Sequence, residues 1–176
     1  MILMALDMHQ KSLYLTVFNA TMISRSVGRS MQAPKTLKEF KKRVFQELEK
    51  LTDCMDQAIL TEDKIITSIQ AIADEFQISF GQAQKPINVI LKIHFYLTKD
   101  QNDRLSNVLH CPLDSVILGE LKKRGYSSKG NTLTKIDRRS YLMLQQEIGN
   151  HYSPRIKLDD KWDEQHLKEE GLLGAS

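Results

Sequence analysis

Cysteine, proline, glycine and tryptophan are all scarce in this chain. Two cysteines, Cys54 and Cys111, cannot build a disulfide framework, and their spacing is not that of a zinc site. Both read as reduced thiols of a cytoplasmic protein. Eight glycines and four prolines in 176 residues are too few for a turn-rich β-sandwich. No apolar run reaches spanning length either. The N-terminal stretch "MILMALDMHQKSLYLTVF" is broken by Asp7, His9 and Lys11. It also has no basic leader or small-residue cleavage site, so a signal peptide is not expected. Absent too are the GxxxxGK[ST], HExxH and GxSxG motifs, which removes support for the common nucleotide, zinc-protease and serine-hydrolase chemistries. No cofactor and no metal is expected.

What is present is helical patterning in a chain long enough for one domain with a real core, residues 1–176. "TLKEFKKRVFQELEKLTDCM" sets Leu37, Phe40, Val44, Leu48 and Leu51 at steps of three and four behind a Thr36 cap. "TEDKIITSIQAIADEF" opens on Thr61 with acids in its first turn, and buries Ile69, Ile72 and Phe76. From Ile87 to Leu97 the apolar residues cover nearly the whole circumference, which predicts a central helix with Pro86 at its start. A buried strand is the rival reading there, but no βαβ rhythm surrounds it. "CPLDSVILGELKKRG" predicts a short helix with Asp114 as cap and Gly125 as stop. "YSSKGNTLTKIDRR" reads as a basic loop, and "SYLMLQQEIGNHY" and "LDDKWDEQHLKEEG" as two further helices. The expected fold is all-α, an irregular bundle of about seven helices. Residues 1–33 are an N-terminal packing segment and 171–176 a frayed tail.

The net charge of +3 conceals an asymmetry. Residues 81–139 carry eleven Lys/Arg against five Asp/Glu, between flanks that are net acidic. A basic stretch of this kind points to a polyanion or to a solvated basic face. Within it, "SFGQAQKPINVIL" places Lys85 at the mouth of the apolar helix, after a glycine turn whose free N–H groups would suit a phosphate.

"FGQAQKPINVIL" followed by "CPLDSVIL" resembles the helix-hairpin-helix DNA glycosylases, the endonuclease III and oxoguanine glycosylase group. Ser79 to Ala83 occupy the hairpin positions, Lys85 the catalytic lysine, Asn88 the asparagine three residues on, and Leu113-Asp114 the pair whose aspartate is catalytic. The likeness covers the central third of the chain and implies a helix-hairpin-helix element over 61–98. It implies double-stranded DNA as partner and glycosylase/AP lyase chemistry: a Lys85 Schiff base on a flipped nucleotide, with Asp114 stabilising the positive sugar. Backbone phosphates would be held by Gly81, Gln82, Ala83, Gln84, Lys122, Lys123, Arg124, Arg138 and Arg139, with Asn88 tying the hairpin together. The residues alone leave other readings open. Lys85 also fits a solvated first-turn lysine, Asp114 a simple cap, and the whole chain a non-catalytic DNA-binding module or a helical protein-interaction domain. Phe80, Tyr126, Tyr141 and Trp162 suit base stacking or core packing, and His94, His110 and Cys111 lack the spacing of metal ligands.

Overall fold

A computed structural model describes residues 6–21, 27, 30, 36–98, 103–126 and 132–173. Eight α-helices run through them: α1 (Met8–Thr21), α2 (Leu37–Asp56), α3 (Glu62–Phe76), α4 (Phe80–Leu97), α5 (Asp103–Val108), α6 (Ser115–Lys123), α7 (Arg138–His151) and α8 (Lys157–Glu169). A short 3-10 turn, Leu133–Lys135, precedes α7. There is no strand among the described residues. The architecture is all-α, as the patterning implied.

Helix ends follow the capping chemistry. Thr36 and Glu39 form a reciprocal capping box at the head of α2, and the Thr61 hydroxyl accepts from Lys64 N at the head of α3. Asp114 caps α6 through Val116 N and Ile117 N. Gly125, beyond the end of α6, takes φ +85°, the left-handed conformation that glycine accepts freely.

α4 is the axis of the molecule, with α1, α2, α3, α7 and the 3-10 turn all packed on it. Its Ala83, Ile87, Ile90 and Leu91 join Tyr14, Phe18, Phe40, Leu48, Ile69 and Phe76 in one continuous core. A helix apolar on every side is stable only when other elements surround it in this way. Of the N-terminal packing segment, Tyr14 and Phe18 on α1 are fully buried, while 1–5 and most of 22–35 lie outside the described residues.

One expectation needs correction. The glycine turn read at Gly81–Lys85 is not a turn. α4 begins at Phe80, so these residues form its first turns, and Pro86 lies inside the helix rather than at its start. The connection from α3 is only Gln77–Ser79, with Gln77 in the left-handed conformation at φ 51°. Ser79 makes the early start possible: its hydroxyl accepts from Gln82 N while the Gln82 side chain accepts from Ser79 N. Gly81 serves packing. The 3-10 turn lies so close that a Cβ at this position would meet Leu133 O at 2.5 Å and Ile136 Cβ at 2.8 Å. Gly81 N donates to Ile136 O at 3.0 Å across that contact.

Candidate functional site

Lys85 and Asp114 come together from two different elements. Gly81, Gln82, Ala83 and Gln84 turn inward with the first turns of α4, and Lys85 emerges from the same turns half-buried, with a side chain 19% exposed. Asp114 sits between a buried non-helical segment, Leu109–Leu113, and α6. Its Oδ1 accepts from Val116 N and Ile117 N, both at 2.9 Å. That leaves Oδ2 facing Lys85 Nζ at 3.8 Å. Capping therefore does not use up the carboxylate. One oxygen holds the helix end and the other meets the amine.

The second lysine of α4 has a different environment. Lys92, seven residues on and hence on the same side of the helix, is 8% exposed and held by three carboxylates of α8. The distances are 2.5 Å to Asp159, 3.0 Å to Asp160 and 2.7 Å to Asp163. Burial alone would push its pKa down, but these three acids outweigh burial and raise it. Lys92 is thereby a fixed cation that pins α8 to the core. Lys85 meets its single carboxylate beyond hydrogen-bond length.

Between α6 and α8, beside Asp114, lies a cleft of about 310 Å³. Val116 and the half-buried Trp162 give it an apolar wall, and Asp159, Asp163 and Glu169 make its other side acidic. Trp162 is thus the one stacking candidate on this cleft. Tyr141 and Phe80 instead pack on each other in the core, ring centroids 4.8 Å apart. Tyr126 is half-buried against His151.

The remaining sequence candidates separate into two groups. Gly81, Gln82, Ala83 and Gln84 are buried, which corrects their assignment to phosphates. Their backbone donors are already engaged: Gly81 N by Ile136 O, Gln82 N by the Ser79 hydroxyl, and Ala83 N by Ser79 O. An anion site needs unpaired donors. Lys122, Lys123 and Arg124 are exposed at the C-terminal end of α6, Arg124 bonded to Glu120 and stacked over the Tyr152 ring. Arg138 and Arg139 are exposed at the head of α7, and residues 127–131 of the basic loop lie outside the described residues. Asn88 is buried and bonds side chains rather than hairpin backbone, donating to Gln84 Oε1 at 2.7 Å and to the Tyr141 hydroxyl at 2.8 Å.

Pattern reading missed a buried polar chain that reaches this site. The Tyr141 hydroxyl donates to His110 Nδ1 at 2.6 Å, and His110 Nε2 donates to Glu62 at 2.7 Å. Burial depresses the His110 pKa and keeps the ring neutral, which fixes these directions. The His110 hydrogen bond, aided by Arg155 at 2.9 Å, holds Glu62 at about 2 against the opposing effect of burial. Cys111 is fully buried and its thiol pushed well up. Among the described residues no group of three or more His, Cys, Asp or Glu side chains is arranged to hold a metal ion. Nor does any described helix have the length and apolarity to cross a membrane.

No family model, no curated protein and no solved structure matches this chain.

Proposed function

We propose that the protein binds double-stranded DNA and acts in base excision, as a glycosylase/AP lyase with Lys85 as nucleophile and Asp114 as its carboxylate partner. The observation that carries this reading is the 3.8 Å approach of Lys85 Nζ to Asp114 Oδ2 beside an open cleft. In this chemistry the uncharged amine attacks the anomeric carbon of an extruded nucleotide. The N–C bond to lysine forms as the glycosidic bond breaks, and the proton shed by the amine passes through Asp114 Oδ2 to the leaving base. The C1′–O4′ bond of the sugar then breaks as O4′ takes a proton from water, and the iminium this leaves at C1′ permits strand cleavage. Oδ2 of Asp114 takes the proton that the amine sheds and faces the positive charge developing on the sugar. Trp162 offers a ring for stacking, and Lys122, Lys123, Arg124, Arg138 and Arg139 are exposed cations suited to phosphates. We place the protein in the cytoplasm, where both thiols stay reduced.

One observation favours a second reading. The acidic wall formed by Asp159, Asp163 and Glu169 would repel phosphate and attract a basic segment, as a helical protein-interaction domain would.

Borohydride trapping on duplexes carrying an abasic site or a damaged base tests the enzyme. A covalent adduct should form with the native protein, disappear in Lys85→Ala, and form about 100-fold more slowly in Asp114→Asn. Absence of the adduct across several lesions removes the enzymatic reading. Duplex affinity that falls steeply with salt then leaves a non-catalytic DNA-binding module, and affinity indifferent to salt leaves the protein-interaction domain.

A further inference from the structure

We infer that Gln84 is a positioning residue that sets the approach of Lys85 to Asp114. Its functional meaning rests on the reading of those two as the reacting pair, although its geometry does not.

Gln84 is fully buried, with its side-chain amide against the backbone of Leu113. Nε2 donates to Leu113 O at 2.7 Å, and Leu113 N donates to Oε1 at 3.2 Å. The side chain thus pairs both backbone polar groups of one residue, as a neighbouring strand would. Its other capacities are used as well: Nε2 also donates to Gly81 O at 3.1 Å, and Oε1 also accepts from Asn88 Nδ2 at 2.7 Å. All four hydrogen-bonding positions of the amide are therefore filled.

The register is what makes this pairing matter. Gln84 and Leu113 are 29 positions apart, and so are their next neighbours Lys85 and Asp114. Fixing 84 against 113 therefore fixes where 85 meets 114. Leu109 N still closes a helical bond onto Leu105 O, but His110–Leu113 lie in the core outside any helix, so their backbone needs partners from elsewhere. Gln145 of α7 supplies the same kind of pairing two residues earlier: Cys111 N donates to its Oε1 at 3.0 Å, and its Nε2 donates to Cys111 O at 2.7 Å. Of these two pairings, only that of Gln84 is directly adjacent in sequence on both sides to the reacting groups.

Asn88 fixes which way the Gln84 amide points. Asn88 Oδ1 is buried without a hydrogen bond, which is unfavourable. Turning the Asn88 amide over would set its oxygen against Gln84 Oε1 and the Tyr141 hydroxyl, exchanging two good bonds for a repulsion. The observed orientation keeps Oε1 as acceptor, and hence Nε2 toward Leu113 O.

Carbodiimide cross-linking of the intact protein tests this without DNA. The reagent activates the Asp114 carboxylate, the Lys85 amine attacks it, and an amide forms as the reagent leaves as a urea. The Lys85–Asp114 peptide is quantified by mass spectrometry against the Lys11–Glu49 link, whose ion pair at 2.7 Å joins α1 to α2 and reports an intact fold. The variants are Gln84→Met, which removes both bonds to Leu113, and Gln84→Glu, which keeps size but sets a carboxylate against Leu113 O. Gln145→Met serves as the comparison. A displacement of about 1 Å should lower the ratio of the two links about fivefold or more in both Gln84 variants, and less than about twofold in Gln145→Met.

An unchanged ratio in Gln84→Glu overturns the inference, as does an equal fall in all three variants. Loss of the Lys11–Glu49 link in both Gln84 variants also overturns it, since Gln84 would then hold the fold and not the pair. If the native protein forms the borohydride adduct, Gln84→Glu should slow its formation about tenfold at saturating DNA with affinity for the duplex unchanged. A native protein that forms no adduct sinks the enzymatic reading and leaves the cross-link ratio to decide the positioning role. An adduct with an unchanged ratio sinks the positioning role alone.

Discussion

Two carboxylate–histidine–tyrosine chains enter the core of this protein, and they end in different places. In one, Asp56 bonds His94 Nε2 at 2.8 Å and His94 Nδ1 meets the Tyr14 hydroxyl at 2.5 Å. In the other, Glu62 bonds His110 Nε2 at 2.7 Å and His110 Nδ1 meets the Tyr141 hydroxyl at 2.6 Å. The two acids flank one short link, Asp56 as the last residue of α2 and Glu62 as the first of α3. Their electrostatics differ accordingly. Glu62 lies at a helix N-terminus, where a negative charge is favoured, and takes Arg155 as well. Asp56 lies at a helix C-terminus, where it is not. The Asp56 chain stops at Tyr14, so it fastens α1 to α4. The Glu62 chain continues through Asn88 to Gln84 and Leu113, beside the Lys85–Asp114 pair. The same three side-chain types thus serve as a rivet in one place and as part of a scaffold for a site in the other. The difference lies in what the tyrosine hydroxyl accepts from.

Removing each hydroxyl separates these roles. Tyr141→Phe strips an acceptor from Asn88 and a donor from His110, and should cost about 2 kcal/mol of stability. It should also lower the Lys85–Asp114 cross-link, because Asn88 loses one of the two bonds that orient it. Tyr14→Phe strips one partner, from His94 alone, and should cost about 1 kcal/mol and leave that cross-link unchanged. Urea midpoints at constant m-value measure both costs. Equal costs, or a cross-link that falls with Tyr14→Phe, would show that the two chains do the same job.

The division between rivet and scaffold was not legible in the sequence, for a physical reason. Periodicity locates helices by assigning polar residues to the surface, and here Gln82, Gln84, Asn88, Lys92, His94, His110 and Gln145 are all buried. Each is admitted to the core by a partner far along the chain, as Gln84 is by Leu113, and no local pattern encodes such a partner. Where the controlling interactions are local, the reading worked. The stripes of α2 and α3 and the caps at Thr36, Thr61 and Asp114 all lie where the spacing put them. The start of α4 was legible and misread. Ser79-Phe80-Gly81-Gln82 is a serine–glutamine capping box that starts the helix at Phe80, whereas a glycine turn at Gly81 and a first helical position at Pro86 put the start six residues later. α5, only six residues long, has too few positions to show a stripe. Lys85 and Asp114 were paired through a resemblance between motifs, and nothing in the periodicity places them together.

Acidification should act on the Glu62 chain in two steps. The His110 pKa is lowered in the folded protein, so the unfolded chain takes up its proton first. Its contribution is complete above about pH 6.5 and is lost as pH falls below that value. Glu62, held at about 2, contributes above the ordinary carboxylate range, and this is lost between about pH 4.3 and pH 2. The groups facing His110 are Glu62, Arg155 and the Tyr141 hydroxyl. Stability measured by urea denaturation from pH 7.5 to 5.5 should therefore decline in the native protein and decline less in His110→Gln. The same slope in both would detach His110 from the first step.

The smallest expected effect is the most direct test of the comparison. If the two chains share no member, the costs of Tyr14→Phe and Tyr141→Phe should add in the double variant to within about 0.5 kcal/mol. The named bonds support this. The Tyr14 chain runs through His94 to Asp56 and the Tyr141 chain through His110 to Glu62, with no side chain in common. α4 nonetheless carries members of both, His94 and Asn88, six positions apart on one rigid element. A coupling energy above about 1 kcal/mol would mean that a shift of α4 transmits one loss to the other. In that case the acid at the end of α2 would also bear on the geometry of Lys85 and Asp114, through α4, which carries members of both hydrogen-bond chains.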